Sequence, residues 1–331
     1  PMSTDMNQDG LIIVSEDVCK EVIDRASSFN AVESVFAAMA KGDAYNFPVI
    51  REAIGYADAL YGFKSGFDRA GMALGVKSGG YWPGNAAKGL TNHQSTILLF
   101  DPETGMLKAL VGGNYLTAVR TAASSAVSIA HLARKDAKVL GMVGAGHQST
   151  FQLRAALEQR DFDKVVGWNL HPEGLKRLQD ICDEKGIAFE AVDREKLGAE
   201  SDVIITITSA FEPLMMKDWI KAGTHIACMG TDTRGKQEMD AALMPSVSLF
   251  TDEVAQSISI GENQHAIDNG SITEADITPI GDVINGVHPG RQSDDEITLF
   301  DGTGVGLQDL AVASVAVELA QKSNKATQIS L

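Results

Sequence analysis

The sequence predicts an α/β protein in two parts, and three observations carry that reading. From Lys135 onward, short apolar strands alternate with helical stretches. A glycine-rich loop, VLGMVGAGHQS, joins the first of those strands to the first of those helices. The residues before it mix helical and strand-like stretches without that alternation. The first two observations describe a Rossmann-type dinucleotide-binding domain, and the third describes an α+β domain. The expected division is 135–304 for the Rossmann-type part, with 1–134 and 305–331 forming the other.

Taken in order, CKEVIDRASSFNAVESVFAAMAKG has helical character, whereas MALGVKS, STILLFD and LKALVGG read as strands. DPETG, between Phe100 and Met106, reads as a hairpin connection. The alanine-rich TAVRTAASSAVSIAHLAR is a helix that carries the chain into the second part. There KVLGMVGAG is a strand, HQSTFQLRAALEQR a helix, KVVGWNL a strand and PEGLKRLQDICDEKG a helix. SDVIITITS and THIACMG are near-continuous apolar runs, as in a parallel sheet covered on both faces. The closing run LQDLAVASVAVELAQKS is again helical and returns the chain to the first part.

Composition narrows the function classes. The 331 residues are 44% hydrophobic and carry a net charge of −16 spread along the chain. A diffuse negative surface repels nucleic acid and anionic membranes, so neither is an expected partner. Cys19, Cys182 and Cys228 are too few and scattered for a disulfide framework, and the seven histidines lack i, i+4 pairing, so no metal site is expected. No apolar run reaches membrane-span length, and PMSTDMNQDG lacks the basic and apolar regions of a signal peptide, from which a cytoplasmic location is expected.

In the glycine loop, Gly144, Gly146 and Ser149 fill G-x-G-x-x-[small]. The first glycine makes a tight turn, the second lets backbone approach a pyrophosphate, and the small third residue lets the helix pack close to the sheet. The next strand ends in Asn169, Leu170 and His171, without the acidic residue that marks NAD or the arginine that marks NADP. Asn169 can bond a ribose hydroxyl, or it can be an ordinary turn residue. NAD is the expected cofactor, and NADP is left open.

Three cations of the first part have distinctive settings: Arg51 in FPVIRE, Lys77 before a glycine-rich turn in ALGVKSGGYWPGN, and Arg120 opening an alanine-rich helix. A charge buried there needs a partner. The alternative is that each pairs with a carboxylate of its own chain. Residues 230–240, GTDTRGKQEMD, place Asp232 and Arg234 just after the THIACMG strand, where an α/β sheet presents its ligand. Asp232 can also be read as a helix N-cap before GKQEMD.

The blocks GVKSGGYWPGN, NHQSTILLFDPETG, LTAVRTAASSA, VGAGHQS, SDVIITITSAFEP, GTDTRGKQEMD and FDGTGVGLQDLA resemble those of the ornithine cyclodeaminase/μ-crystallin family, and the likeness covers nearly the whole chain. The resemblance implies a homodimer with a substrate-binding and dimerisation domain beside the Rossmann-type one. It implies that Arg51, Lys77 and Arg120 bind a substrate α-carboxylate and that Asp232 is the acid/base group near the substrate nitrogen, with Lys77 also in the catalytic set. On the matching motifs, the cofactor contacts extend from Gly144, Gly146 and Asn169 to Thr121, His147, Gln148, Thr206, Thr208, Ser209, Met229, Gly230 and Gly304.

Two departures from the family pattern bear on the substrate. Arg234 stands where GADxPGK has proline, and Lys64-Ser65 stands where an apolar Met-Pro pair is usual. Both add a cation to an acidic protein, as a second substrate carboxylate would require. Taken with those cations, the resemblance implies the imino dicarboxylate iminosuccinate as substrate, reduced to aspartate as family members do in bacterial glyoxylate assimilation. Arg234 or Lys64 would take the β-carboxylate; alternatively, these cations face solvent or cofactor phosphate. Rival readings are a cyclic ketimine reductase, an alanine-dehydrogenase-like enzyme, a cyclodeaminase, or a non-catalytic ligand binder.

Overall fold

The computed structural model describes residues 10–331; the rest of the N-terminal stretch read above for targeting lies outside them. Two compact units divide the chain. One comprises the segments ending at Ala31, Gly42–Thr117 and Gly306–Leu331; the other comprises Val32–Lys41 and Ala118–Val305. The division thus falls at 117/118, inside a helix, rather than at 134/135. The reason is local: Ser128 on that helix bonds His225 at 3.0 Å, and the Leu132 carbonyl accepts from Arg291 Nε at 2.8 Å. Residues 32–41 belong with the same unit, where Phe36 packs on Phe300 with ring centroids 6.4 Å apart.

In the first unit, strands β1 (Leu11–Val14), β2 (Ala44–Asn46), β3 (Ile50–Ala53), β4 (Leu60–Asp68), β5 (Ala73–Tyr81), β6 (His93–Phe100) and β7 (Leu107–Gly112) form one mixed sheet. Its order is β1-β7-β6-β5-β4-β2, with β3 also on β4 and a C-terminal strand, Thr327–Ile329, antiparallel to β1. The DPETG hairpin is present: β6 and β7 are antiparallel, the Asp101 N–H donates to Met106 O at 2.9 Å, and Gly105 takes φ +74°. Helix α1 (Glu16–Val22) starts at Ser15, whose hydroxyl accepts from Val18 N–H, and α2 is Arg25–Ala40. The single helical run expected there is broken at Ile23–Asp24, because the Asp24 carboxylate accepts the Ser27 N–H at 2.7 Å and starts a new helix.

Helix α3 (Asn114–Leu132) begins two turns before Arg120, so that residue lies inside the helix rather than opening it. The presumed glycine-rich turn after Lys77 is also absent: Ser78–Tyr81 continue β5, with Gly79 opposite Ser95 and Gly80 opposite Gln94. Glycines without Cβ atoms allow this close strand contact.

The second unit carries β8 (Val139–Val143), β9 (Lys164–Trp168), β10 (Ala188–Ala191), β11 (Val203–Thr206), β12 (Phe211–Met215), β13 (His225–Cys228), β14 (Gln237–Met239), β15 (Ser248–Thr251), β16 (Ile277–Pro279) and β17 (Thr298–Asp301). Its main sheet is parallel throughout, in the order β10-β9-β8-β11-β13-β17-β15-β16, and β12 pairs with β14 apart from it. The central strands β11, β13 and β17 are buried along their whole length, the first two as the apolar runs SDVIITITS and THIACMG predicted. Helices α4 (His147–Leu157), α5 (Lys176–Lys185), α6 (Arg194–Glu200), α7 (Val254–Ser259), α8 (Gln264–Asp268) and α9 (Ile280–Ile284) lie between the strands in sequence. Helix α10 (Gly306–Lys322) packs on β4 and β5 of the first unit, as its predicted return requires. Among the described residues no helix is long and apolar enough to cross a membrane.

Candidate active site

The second unit gathers most of the expected cofactor residues at the carboxyl ends of its strands. Gly144 follows β8, Asn169 follows β9, Thr206–Ser209 end and follow β11, Met229 and Gly230 follow β13, and Gly304 lies beyond β17. These strands are neighbours in the order β9-β8-β11-β13-β17 and point the same way. The chain leaves β8 toward β9 on one side and later continues to β11 on the other. That reversal makes the gap between β8 and β11 the switch point, where open parallel sheets bind nucleotides.

The glycine loop fits a pyrophosphate. Gly144 has φ +110°, and a Cβ there would stand 2.5 Å from Ile207 O, so a side chain is barred by both conformation and space. Gly146 caps α4 without a side-chain hydrogen bond and has no neighbour within 4 Å of its Cβ position. A helix of 11 residues thus begins at a glycine with no side-chain cap, an arrangement suited to phosphate oxygens. His147 is exposed at the first turn with its ring against Phe151, and Gln148 is half-buried beside it. Asn169 serves the loop: its Oδ1 accepts the Ala145 N–H at 3.1 Å and its Nδ2 donates to His171 O at 2.7 Å. Arg177 adds a bond to Ala145 O at 2.8 Å.

Arg120 is buried, and a Cβ at Gly304 would lie 2.8 Å from its Nη1, so helix α3 delivers the guanidinium to the Gly304 loop with Thr121 as its neighbour. That loop is held by Asp252, which accepts from Gly304 N–H at 2.8 Å and from the Thr303 hydroxyl at 2.6 Å.

Asp232 lies in a turn, and no helix follows it: GKQEMD runs into strand β14, so the N-cap reading is corrected. Its carboxylate accepts from Lys236 Nζ at 3.0 Å and from Thr233 Oγ1 at 3.1 Å. The segment around α8 holds this turn at several points. Gln264 accepts from Gly235 N–H at 2.9 Å and donates to Thr233 O at 3.2 Å, and His265 Nε2 lies 2.7 Å from Lys236 O. Arg234 belongs to the same set: 60% exposed, it pairs with Asp268 and donates to Ser259 O at 3.4 Å. That ion pair already occupies the cation offered above to a second substrate carboxylate.

On the first unit, Lys64 and Lys77 sit directly opposite each other on β4 and β5, and Arg51 sits opposite Gly62 on β3 and β4. Alternation along β4 puts Gly62 and Lys64 on one face, so all three cations leave the same face of the sheet. Lys77 reaches Asp309 of α10 at 2.9 Å, and that carboxylate is fully buried. The opposite face carries Tyr61, Phe63 and, on β3, Ile50, all exposed, with the Tyr61 and Phe63 rings 5.3 Å apart.

Several residues escaped the sequence reading. Asp309 and Asp252 are two, and the buried carboxylates Glu238 and Glu262 beneath the Asp232 turn are two more. Thr206 and Thr208, expected at the cofactor, both give their hydroxyls to Glu238, at 2.9 and 2.7 Å. The one available signal was a carboxylate standing alone in an apolar stretch, as in LQDLAVAS.

A parallel sheet with this loop at its switch point in one unit, and a mixed sheet with three cations on one face in the other, define a dinucleotide-dependent enzyme class. The chain belongs to the ornithine cyclodeaminase/mu-crystallin family, whose model matches residues 10–324. Within it, the chain is 58% identical over 321 residues to the iminosuccinate reductase of Paracoccus denitrificans (strain Pd 1222), covering 97% of this chain and 100% of that relative. The crystal structure of the P. denitrificans iminosuccinate reductase in complex with NAD+ superposes with a TM-score of 0.95, covering 97% of this chain and 100% of that one. An archaeal alanine dehydrogenase dimer with bound NAD, 31% identical, gives 0.92 over 97% of this chain and 99% of its own.

Proposed function

We propose that this chain is an NADH-dependent imine reductase that converts iminosuccinate to aspartate. The observation that carries the proposal is the 58% identity to an iminosuccinate reductase over that relative's full length. When bound, NADH supplies the hydride that reduces the imine carbon. The reaction balances as iminosuccinate, NADH and one proton giving aspartate and NAD+.

The chain's own part is to bind, orient and protonate. Arg51, Lys77 and Arg120 hold the α-carboxylate, the last of them fixed beside the Gly304 loop. Lys64, on the same sheet face as Lys77, takes the β-carboxylate. Arg234 could join it only by releasing Asp268. Asp232 stands against the substrate nitrogen, keeps the imine protonated as the electrophile and stabilises the iminium charge. A protonated imine is already activated, so positioning supplies most of the rate. Gly144, Gly146, His147, Gln148 and Asn169 form the phosphate and ribose end of the cofactor site. Thr121, Thr206, Thr208, Ser209, Met229, Gly230 and Gly304 form the rest.

The proposal includes a cytoplasmic homodimer acting in glyoxylate assimilation. The exposed apolar face with Tyr61, Phe63 and Ile50 is the kind of patch that marks an interface, and the archaeal relative is a dimer. The test is NADH oxidation with oxaloacetate and high ammonia, or with fresh iminosuccinate, beside pyruvate with ammonia and a cyclic ketimine. Fast oxidation confined to the C4 dicarboxylate, with aspartate as product, is expected. Preference for either other substrate, or no oxidation at all, overturns the proposal.

A further inference from the structure

The turn that carries Asp232 is anchored from below by two fully buried carboxylates. Glu238 on β14 spans the ends of two sheet strands. Its Oε1 accepts the Thr206 hydroxyl and the Gly230 N–H, both at 2.9 Å. Its Oε2 accepts the Thr208 N–H at 2.8 Å and the Thr208 hydroxyl at 2.7 Å. The contact is close enough that a Cβ on Gly230 would lie 2.6 Å from Oε2. Glu262, just before α8, completes the arrangement. Its Oε1 accepts the N–H groups of Glu238 at 2.9 Å and Met239 at 2.7 Å. Its Oε2 meets the Thr231 hydroxyl at 2.5 Å, with a longer approach to the Glu238 N–H at 3.3 Å.

The donors differ in one respect that decides the chemistry. A backbone N–H cannot turn round, whereas a hydroxyl can either donate or accept. Each oxygen of Glu238 faces one fixed N–H, so neither can become a donor without confronting another. On Glu262 the two fixed donors share Oε1, and Oε2 faces chiefly a hydroxyl. Burial pushes both carboxyls above their ordinary range. Burial, and then the charge of Glu238, push the Glu262 carboxyl well above its ordinary range.

We propose that Glu238 and Glu262 are positioning residues for Asp232, with Glu238 as the anion and Glu262 as the acid whose proton sits on Oε2 toward Thr231. Together they set the spacing of the β11 and β13 ends and the height of the Asp232 turn above them. This inference rests on the imine-reductase reading above for its kinetic readout.

The experiment compares Glu238→Ala, Glu238→Gln, Glu262→Ala and Glu262→Gln in the full chain. The readouts are kcat and KM for iminosuccinate at saturating NADH, NADH affinity by nicotinamide fluorescence, and the thermal midpoint. A displaced acid/base group costs ~100-fold in kcat with KM within ~3-fold, and that is the result expected for both alanine variants. Glutamine has the donor pattern of the protonated acid, so Glu262→Gln restores kcat to within ~3-fold of wild type, while Glu238→Gln stays as low as Glu238→Ala. Equal rescue at both positions, rescue at neither, or a fall in thermal midpoint with kcat and KM unchanged each overturns the proposal. If the Glu238 variants do not fold, Thr231→Val, which strips Oε2 of its hydroxyl, decides: a loss of ~10-fold in kcat is expected, and no loss overturns it. If wild type does not reduce iminosuccinate, the function proposal fails separately. NADH affinity then judges the clasp: weakened by Glu238→Gln and kept by Glu262→Gln supports it, and the same response in both refutes it.

Discussion

Lys64 and Lys77 face each other across β4 and β5, two ammonium groups on one sheet face with the buried Asp309 carboxylate 2.9 Å from the second. Like charges placed directly opposite destabilise a sheet. The buried Asp309 carboxylate offsets part of that cost, and under the proposed function a dianionic substrate would meet both ammonium groups.

Lys64 should therefore set selectivity between one and two carboxylates. Lys64→Met should lower kcat/KM for iminosuccinate by ~10- to 100-fold, the range of a charge-assisted hydrogen bond, and leave the imine of pyruvate nearly unaffected. Side-by-side steady-state kinetics on the two substrates check this; an equal loss on both would assign Lys64 to the shared α-carboxylate instead.

Asp309 should matter for stability as well as turnover. Asp309→Asn removes the charge from a pair whose carboxylate is fully buried, and breaking such a pair costs about 3–5 kcal/mol. Urea unfolding of wild type and variant measures the difference. A change under about 1 kcal/mol would mean that the Lys77 ammonium is compensated elsewhere.

Arg234 should behave as a surface staple. Its partner Asp268 is 48% exposed and its own side chain 60%, so the pair contributes at most about 1 kcal/mol. Arg234→Ala should then lower the unfolding free energy by no more than about 1 kcal/mol and leave kcat/KM for iminosuccinate within ~3-fold. A larger loss, confined to the dicarboxylate, would return Arg234 to the substrate site.

His225 should make stability fall in acid. Its ring is fully buried between Ser128 Oγ at 3.0 Å and Thr298 Oγ1 at 2.8 Å, and burial pushes its pKa from 6.5 down to about 3. The unfolded chain takes up a proton near 6.5 that the folded one refuses. The contribution is thus complete above that pH and is lost as pH falls toward 3, at about 1.4 kcal/mol per pH unit. The difference in unfolding free energy between wild type and His225→Gln, measured from pH 7 to pH 4, should carry that slope; a flat difference would show that the ring is charged or hydrated in the folded state.

Much of the fold was legible because its determinants are local. The run of β8, the glycine loop and α4 is written in period, length and glycine placement, and the structure keeps all three. The errors also have local causes. One helix proved to be two because Asp24 and Ser27 cap each other, and a glycine pair taken for a turn lies flat within β5. At the site, sequence neighbours were found and distant partners were not. Asp232 and Arg234 stood out in GTDTRGKQEMD, but of the residues that hold that turn Glu262 comes 31 after its partner Thr231 and Asp268 comes 34 after Arg234.

By itself, the sequence determined an α/β chain with a phosphate-suited glycine loop, a family membership, and a set of cations and one aspartate to be explained. Those follow from the spacing of residue types along the chain, which needs no folding to be read. Only the tertiary structure decided which charge meets which: Lys77 with Asp309, Arg234 with Asp268, and the Asp232 turn with Glu238 and Glu262. Charge pairing and burial depend on distances across elements far apart in the chain, and those distances exist only once the strands have chosen their neighbours.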